Sequence, residues 1–572
     1  MLRRSLAAKL MVVMALAIAG CTPAGAPSGS QPRGGGQAGG APQRTMVLAV
    51  RAEPPSLASK PLVPVSGALA PPVSLFNATL DTIPHTGIPE ATLAEALPQP
   101  NTDTWRVFPD GRMETRYTLK PNLTWQDGTP LSAEDFVFAY RVYSTPALGV
   151  ASSPPIGEME EVVAPDNRTI VIRWKRLFAD AGALGADFQA LPRHILAGPF
   201  ESLDAQSFSN HSFWTQDYVG LGPYRVTNWE PGAFIEATAF DNYVLGKPKI
   251  ERVNVRVISD PNTALANILS NDVHFVMDFV FAESDGDTLE QRWSTDGGGE
   301  VIYSKTELRA TLIQARPEVA DPPELLDVRV RRAIAHSIDS QTAVEALTGG
   351  KGMATYTATS PAEDFYPEVD RVIEKHPYDP RRAEQLMGEA GFTRGRDGFY
   401  VNRAGQPFDP GMWSSGGTKN EQENAVIVDS LRRSGIASVT NIIPAAQVRD
   451  AQARALIPGL ALRGFGSKRI DYFTTDQIPR PNNRWQGDNR SGWSSEEFDR
   501  LYATYSKTLE RSQRNQIVSQ MERVLTSELP LIPHFFGVVV NAHVSQLEGP
   551  VARTTPEAGI GYFNIHEWHW RS

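Results

Sequence analysis

The sequence has almost none of two features: cysteines, which can form disulfide bonds, and long apolar runs, which can anchor a chain in a membrane. It has one cysteine, Cys21, among 572 residues. A single thiol excludes an intramolecular disulfide and any metal site built from several cysteines. The apolar run at residues 10–20 has only 11 residues, and no other run approaches the roughly 18 needed for a membrane-spanning helix. We therefore expect most of the chain to lie outside the membrane.

An excess of positive charge is also missing. There are 55 Lys and Arg against 65 Asp and Glu, which gives a net charge of −10. Nucleic-acid binders usually carry a basic footprint, so we expect no nucleic-acid partner. The hydrophobic fraction of 41% and charged fraction of 21% are ordinary for a globular protein. The length corresponds to about four domain-sized units.

Recognisable catalytic motifs are absent as well. The sequence has no G-x-S-x-G elbow, no Walker loop and no G-x-G-x-x-G after a predicted strand. The string His566-Glu567-Trp568-His569 spaces its histidines three apart, not four as in H-E-x-x-H, and we interpret it as a terminal strand. We expect no enzyme activity, no cofactor and no metal ion. A glycosidase is not excluded, because its two carboxylates are usually distant in sequence.

The N-terminus explains the lone cysteine. Three cations precede the apolar run of residues 10–20, which has the length of a signal-peptide core. Ile18, Ala19 and Gly20 then lead into Cys21, as in a lipobox, where small residues expose the backbone to a signal peptidase. We predict a lipoprotein signal peptide at residues 1–20 and acylation of Cys21. The alternatives are a buried free cysteine or an uncleaved anchor helix.

A segment rich in glycine and proline follows the cysteine. Residues 22–44 contain seven Gly and four Pro, and no apolar residue larger than Ala or Pro. Such a segment cannot bury enough surface to offset the entropy lost on ordering. We predict that residues 21–44 form a flexible tether and that the folded body begins near Thr45.

The sequence from about Thr45 onwards predicts a mixture of strands and helices. Period-2 or continuous apolar patterns predict strands at 46–51, 115–120, 169–174 and 253–258. Capping residues before apolar stripes predict four helix starts. These are Ser132 with Asp135, Asp327, Asp379 with Pro380, and Ser494 with Glu497. We predict an α/β protein without sequence repeats.

Six motifs stand in a fixed order along the chain. The first is WQDGTPLSAEDFVFAYRV at 125–142. The others are GLGPYRVTNWEPG at 220–232, SDPNTALANILSNDV at 259–273, LDVRVRRAIAHSI at 326–338, the YDP motif at 378–380 leading to Gly391, and PLIP at 530–533. Together they resemble extracellular solute-binding protein family 5, which contains the dipeptide-, oligopeptide- and nickel-binding lipoproteins of ABC importers. The first motif is similar to the family signature, with Phe136 in place of a common valine.

The resemblance implies a type II periplasmic-binding-protein fold, with two lobes joined by a hinge and an extra subdomain. It implies that lobe I is built from residues 45–85, 215–305 and 540–572. The extra subdomain would be 86–214, and lobe II would be 306–539. Ligand would bind in the cleft between the lobes and favour the closed state.

The same resemblance suggests where a ligand would bind. Peptide-binding relatives hold the α-ammonium group with an aspartate in a W-x-x-D pattern. Here Phe465 falls on the aromatic position and Lys468 on the aspartate. A cation there would repel an ammonium group. Either the loop is shifted and Asp471 binds the ammonium, or no free peptide N-terminus is held there; Lys468 and Arg469 could also simply face solvent.

Three further residues are candidate cleft residues. Glu53 follows the first predicted strand, where relatives bond peptide backbone, and Trp413 follows a predicted lobe II strand. Tyr356 comes after the turn GGKGMATY. Aromatic rings provide a large contact area at low entropic cost, which suits a cleft that accepts varied side chains. Each could equally belong to a core or to the surface.

Together these features predict a monomeric substrate-binding lipoprotein of an ABC importer. It would capture a peptide or peptide-like solute, deliver it to the permease and ATPase complex, and stay at the cell envelope through its lipid anchor. One alternative is the same fold binding an oligosaccharide or an anionic solute, suggested by Lys468 and Arg469. An alternative of another class is an envelope hydrolase or a ligand sensor.

Overall fold

The computed structural model describes residues 44–62, 71–85, 87–151, 154–448, 450–465, 470–483, 485, 487–553 and 562–571. The predicted signal peptide, Cys21 and all of the tether except Arg44 lie outside these residues, and so does Lys468. No helix in the described part of the chain is long and apolar enough to cross a bilayer.

The strands alternate with helices along the chain. The strands are β1 (Met46–Val50), β2 (Asp81–Thr82), β3 (Glu90–Ala91), β4 (Trp105–Val107), β5 (Met113–Thr118), β6 (Met159–Val163), β7 (Thr169–Trp174), β8 (Tyr224–Glu230), β9 (Phe234–Ala239), β10 (Arg252–Val257), β11 (Phe275–Phe281), β12 (Gly299–Ile313), β13 (Met353–Ala354), β14 (Thr393–Arg394), β15 (Tyr400–Val401), β16 (Met412–Ser415), β17 (Thr440–Ile443), β18 (Leu460–Phe465), β19 (Leu531–Val544), β20 (Leu547–Glu548) and β21 (His569–Trp570).

The helices vary widely in length. They are α1 (Ala133–Tyr143), α2 (Arg193–Ser202), α3 (Ala205–Ser209), α4 (Pro261–Leu269), α5 (Glu283–Asp296), α6 (Val328–His336), α7 (Ser340–Thr348), α8 (Tyr366–Val372), α9 (Pro380–Glu389), α10 (Thr418–Arg433), α11 (Ala445–Val448), α12 (Ala451–Ala455), α13 (Glu496–Tyr505) and α14 (Arg511–Glu528).

One large sheet connects most of the protein. Its strand order is β17-β16-β18-β12-β19-β11-β1-β10-β9-β8, and β13 pairs with β19 beside this path. The two central strands, β12 and β19, have 15 and 14 residues and run antiparallel from the pair Gly299↔Val544 to the pair Leu312↔Leu531. They are far longer than the usual five or six residues, so each can contribute to more than one core.

Three hydrophobic cores lie along this sheet. The first core takes its buried residues from 46–293 and 538–568. The second core packs helices α6, α7, α9 and α10 against the sheet. The third core packs α13 and α14 against the sheet, and its buried residues lie between positions 308 and 536. Strand β19 contributes Ile532 to the second core, Phe536 to the third and Val540 to the first.

A separate four-stranded sheet, β4-β5-β7-β6, covers residues 105–174. In β5 the side chains of Met113, Thr115 and Tyr117 are buried and those between them are more exposed, which is the predicted alternation. The predicted strand at 169–174 is confirmed as β7. The other predicted strands are confirmed with ends shifted by one or two residues.

Most of the predicted helix starts are confirmed. Asp135 accepts a hydrogen bond from the Ser132 amide at 2.9 Å before α1. Asp327 caps α6, and Asp379 caps α9 by accepting from two amides. The prediction that Ser494 caps a helix is wrong, because Ser495 is the cap of α13. The Ser494 hydroxyl instead lies 2.8 Å from the hydroxyl of Thr475.

The GLGPY motif before β8 fits a tight backbone contact. A Cβ atom on Gly220 would lie 2.0 Å from the Phe76 carbonyl oxygen, and one on Gly222 would lie 2.2 Å from the Asn77 amide nitrogen. The Gly222 amide donates to that same Phe76 carbonyl at 3.0 Å. Only glycine allows two backbone segments to approach so closely.

Candidate functional site

A cavity lies where three parallel strands end. Strand β16 runs parallel to β17 and β18, but it pairs with β18 only through Met412↔Leu460 and Trp413↔Ala461. Beyond these pairs the C-terminal ends of the strands leave space for a cavity. Crevices at the carboxyl ends of parallel strands are the usual ligand sites of open α/β sheets.

The cavity has a volume of about 270 Å³, which is just below the usual 300–1,000 Å³ for small-molecule sites. Ser415 and Ile443 line it from the ends of β16 and β17, and Gly464 lines it from β18. Its polar lining is dominated by guanidinium groups, which come from Arg309, Arg454, Arg463 and Arg490.

Arg309 belongs to a buried ionic network on one side of the cavity. Its guanidinium donates to Glu423 at 2.7 Å, to Glu307 at 3.0 Å and to Asn420 at 2.9 Å. Burial opposes the charge on Arg309, but the carboxylates of Glu423 and Glu307 outweigh it and raise the pKa of this group. Arg309 is therefore neutralised by the protein itself.

Lys419 extends this network beyond the cavity. Its ammonium group lies 3.1 Å from a Glu307 carboxylate oxygen and 3.1 Å from one of Glu283 on α5. Burial alone would raise the pKa of Glu307, but the charges of Lys419 and Arg309 lower that pKa to about 2. The carboxylate of Glu307 thus stays ionised across the physiological range.

The other three arginines of the cavity are less well neutralised. Arg463 donates to both the carboxylate and the carbonyl of Asp488 at 2.8 Å, and its guanidinium stacks 4.6 Å from the Phe465 ring centre. The side chains of Arg454 and Arg490 form no ion pair with a carboxylate among the described residues. Burial, and then repulsion from Arg463 and Arg454, lower the pKa of Arg490 to about 9, and a weaker attraction from Asp488 does not offset them.

The segments that carry these two arginines are held in place by a buried cation. Arg316 is only 6% exposed. One of its nitrogens donates to the carbonyls of Ala455 and Arg490, each at 2.8 Å. Hydrogen bonds from a charged donor are stronger than neutral ones. The end of α12 and the chain around Arg490 are therefore joined to each other at a defined separation.

Two predicted site residues lie on the strands that border the cavity. Trp413 pairs with Ala461, which lines the cavity. Phe465 ends β18 but is buried in the third core, with its ring centre 6.4 Å from that of Phe473. Phe465 therefore contributes packing and a surface for Arg463, while Lys468, predicted beside it, lies outside the described residues.

The remaining predicted residues lie on other elements. Asp471 belongs to a 3-10 turn, Ile470–Phe473, and its carbonyl accepts from the Thr474 amide. Glu53 follows β1 and accepts hydrogen bonds from the Trp229 indole and, at 3.1 Å, from the Gly232 amide. Tyr356 follows β13 and is 37% exposed. None of the three lines this cavity.

The cavity arginines were missed by the sequence reasoning. A local charge count would have pointed to them, because residues 449–490 contain eight Lys and Arg and only four Asp, in a chain whose net charge is negative. Charge segregation of this kind indicates a positively charged surface or pocket.

Metal ligands do not converge in the described part of the chain, where no group of three or more His, Cys, Asp or Glu is placed to hold a metal ion. The terminal string is a strand only in part. His569 belongs to β21, whereas His566 lies in a 3-10 turn and packs against Tyr243 at 5.3 Å between ring centres. The prediction that His566 lies in a strand is wrong.

Residues 96–475 match the family of bacterial extracellular solute-binding proteins, family 5 Middle. The chain belongs to this solute-binding protein family. The resemblance inferred from the six motifs is therefore confirmed. Family 5 solute-binding proteins are extracellular binding proteins, and this places the chain among binders rather than among a family of enzymes.

Curated relatives of this family 5 protein are distant in sequence. The oligopeptide-binding protein AppA of Bacillus subtilis is 24% identical over 475 residues, which are 80% of this chain and 81% of AppA. Protein XP55 of Streptomyces lividans is 26% identical over 421 residues, 73% of this chain and 69% of that protein.

Solved structures share the fold of this family 5 protein. An oligopeptide-binding protein of Thermus thermophilus in complex with a pentapeptide has a TM-score of 0.77 at 21% identity, covering 92% of this chain and 96% of that one. NikZ of Campylobacter jejuni in complex with Ni(L-His) has a TM-score of 0.74 at 20% identity, covering 92% and 100%. The predicted type II periplasmic-binding-protein fold is confirmed.

Proposed function

We propose that this solute-binding protein captures a peptide or peptide-like solute and delivers it to the permease and ATPase of an ABC importer. The observation that carries the proposal is the cavity at the ends of β16, β17 and β18, in a chain whose family binds solutes. Relatives that bind oligopeptides support the ligand class. No catalytic step, cofactor or oligomeric partner is needed for this function.

All lining residues of the cavity lie in the proposed lobe II, and capture would involve closure of lobe I towards them. The proposed division is residues 45–85, 215–305 and 540–572 for lobe I, 86–214 for its extra subdomain and 306–539 for lobe II. The separation of the first core from the second and third supports it. The hinge would lie in β12 and β19, the long strands that serve all three cores.

Several ion pairs would span this division in the state described. Lys419 on α10 contacts Glu283 on α5, and Lys351 contacts Glu290 at 3.2 Å. At another point Arg514 on α14 contacts Asp180 at 2.7 Å. Such contacts exist only when the lobes are close, so they would favour the closed state together with the ligand.

Delivery would require the protein to stay at the membrane. We propose that residues 1–20 are removed, that Cys21 is acylated and that residues 21–44 act as the tether. Metabolic labelling with a radioactive fatty acid should label the wild type and not a Cys21→Ala variant. Labelling of the variant, or an unlabelled wild type, would contradict the anchor without affecting the binding proposal.

Ligand binding is tested by thermal unfolding of the folded body with peptides of two to five residues. A ligand present at 100 times its Kd stabilises the folded state by about 2.7 kcal/mol. We therefore expect a clear rise in Tm with a subset of peptides and none with free amino acids. A rise only with oligosaccharides would sink the peptide assignment and leave the fold unaffected.

A further inference from the structure

Two of the four cavity arginines lack the carboxylate partners that neutralise the other two. Arg309 is surrounded by Glu307 and Glu423, and Arg463 is paired with Asp488. The side chains of Arg454 and Arg490 form no ion pair with a carboxylate in the described part of the chain. The Nε atom of Arg454 is buried without a hydrogen-bond partner.

The side chains of Arg454 and Arg490 are half-buried, and a guanidinium that is partly removed from water without a carboxylate partner is costly for a folded protein. Its desolvation is not offset unless an anion approaches, and a carboxylate is the partner that matches its planar fork. The repulsion between Arg490 and its neighbours Arg463 and Arg454 adds to this cost. An anionic ligand would relieve both effects at the same time.

The surrounding sequence does not supply the missing negative charge. Within residues 449–490, the positions outside the described part of the chain are 449, 466–469, 484 and 486, which are Arg, Gly, Ser, Lys, Arg, Arg and Gln. None of these side chains is a carboxylate, and four are cations. The excess of positive charge in residues 449–490 is thus local, since the whole chain has a net charge of −10.

We infer that the solute is an acidic peptide, with one carboxylate bound by Arg454 and a second bound by Arg490. This inference rests on the proposed function and narrows its ligand class. An ordinary neutral peptide brings one carboxylate, at its C-terminus, and would leave one of the two guanidinium groups unpaired. A peptide with a Glu or Asp side chain supplies both. A cavity of about 270 Å³ suits a short peptide or the end of a longer one.

Calorimetric titration of the folded body with three dipeptides of similar size tests this inference. The probes are Glu-Glu, its uncharged counterpart Gln-Gln, and Lys-Lys. We expect Glu-Glu to bind at least tenfold more tightly than Gln-Gln and Lys-Lys to bind most weakly. Raising the salt concentration should narrow the difference between Glu-Glu and Gln-Gln, because a partly exposed ion pair is screened.

Variants then assign the effect to the two arginines. Arg454→Gln and Arg490→Gln should each weaken Glu-Glu about tenfold, the typical loss when one charged hydrogen-bond partner is removed. Gln-Gln brings only its C-terminal carboxylate, so it should be weakened by the variant that removes the arginine binding this group and changed little by the other variant. The control is Arg500→Gln, which removes an exposed arginine of α13 that pairs with Glu496 on the same helix. It should leave all three affinities unchanged.

The outcomes separate this inference from the function on which it rests. If Glu-Glu and Gln-Gln bind the wild type equally, the acidic-peptide inference is overturned while the peptide-binding function stands. If no peptide of two to five residues binds, the proposed function itself fails. The comparison of probes on the wild type needs no variant, so it remains decisive even if an arginine variant does not fold.

Discussion

At the scale of single residues, buried charge is handled in two ways in this protein. In the ionic network, Glu307 and Glu423 surround Arg309, and each group has a partner of opposite sign. Asp81 is stabilised differently. It is 1% exposed, and the amides of Leu184 and Gly185 donate to its carboxylate at 2.9 and 2.8 Å.

Asp81 should make stability depend on pH. Burial raises its pKa from 3.8 to about 6 despite the two amide hydrogen bonds. The folded state therefore holds a proton that the unfolded state releases between pH 4 and 6, so the stabilisation from protonation is complete below pH 3.8 and lost as pH rises through 6. An Asp81→Asn variant should be more stable at pH 7 by up to roughly 3 kcal/mol.

Denaturant unfolding at several pH values checks this prediction. The wild type and Asp81→Asn should differ most at pH 7 and converge near pH 4. The control is Asp103→Asn, since the side chain of Asp103 is 95% exposed. Parallel stability curves for the wild type and the Asp81 variant across pH 4–7 would rule the explanation out.

Gly464 should be essential for the shape of the cavity. A Cβ atom at this position would lie 2.4 Å from a Glu307 carboxylate oxygen and 2.5 Å from an Arg309 nitrogen. Both groups are held in the buried network and have little freedom to move away. Gly464→Ala should cost about 1–3 kcal/mol of stability, as overpacking usually does, and weaken ligand binding.

Gly388→Ala is the matched control for this change. Gly388 lies in α9, and a Cβ atom added there would meet nothing within 4 Å. Calorimetric titration should show that Gly388→Ala leaves affinity close to the wild type, and urea unfolding should show stability unchanged or raised by up to about 1 kcal/mol, since alanine favours a helix. Unchanged binding by a folded Gly464→Ala protein would show that this wall of the cavity does not contact ligand.

At the scale of elements, the helix starts illustrate which local signals are decisive. Asp379 stands directly before Pro380, and its carboxylate accepts from the amides of Arg381 and Arg382 at 3.0 Å. The cap residue, the proline and the two bonded amides all lie within the four residues 379–382. For Ser494 and Ser495 the local signal is ambiguous, because two adjacent hydroxyls could cap the helix. In the structure Ser495 is the cap and Ser494 contacts Thr475.

Removing the cap of α9 should be measurable. Asp379→Ala leaves two amides at the start of the helix without an acceptor and should lower the free energy of unfolding by about 1 kcal/mol. The control is Gln385→Ala, in the exposed face of the same helix, where a contact with Glu389 is lost. A chemical denaturation curve for Asp379→Ala that overlies the wild type would contradict the capping role.

At the scale of the whole molecule, the long strands β12 and β19 connect all three cores, and one contact across the proposed lobe division involves neither strand. Arg514 donates to Asp180 at 2.7 Å and stacks over the ring of Tyr505. Close by, the Ala179 amide donates to the Ser506 carbonyl at 3.1 Å. These contacts join residues 179–180 to α13 and α14.

Breaking this contact should favour an open form. Asp180→Ala should increase the radius of gyration of the ligand-free protein in small-angle X-ray scattering and weaken peptide binding a few-fold, since closure and binding are coupled. The control is Arg511→Ala, which breaks an ion pair of α14 with Asp364. That pair lies within the proposed lobe II. Equal scattering by both variants would argue against a role of Asp180 in closure.

The sequence by itself determined the class of the protein. Six motifs in order identified the family, and the strands and caps were predicted because their signals act over a few neighbouring residues. Two wrong predictions show the limit of that information. The terminal strand begins at His569 and does not include His566, and the helix cap is Ser495 instead of Ser494. At such positions local preferences are nearly equal, and contacts with distant residues choose between them.

Only the tertiary structure decided which residues form the cavity. Of the predicted ligand residues, Phe465 is part of a core, and Glu53 accepts hydrogen bonds from Trp229 of β8 and from Gly232 just after this strand. Arg309, Arg454 and Arg490 meet although up to 181 positions separate them. Such a meeting depends on the order of the strands in the sheet and on where parallel strands diverge. Neither can be predicted from a pattern of neighbouring residues.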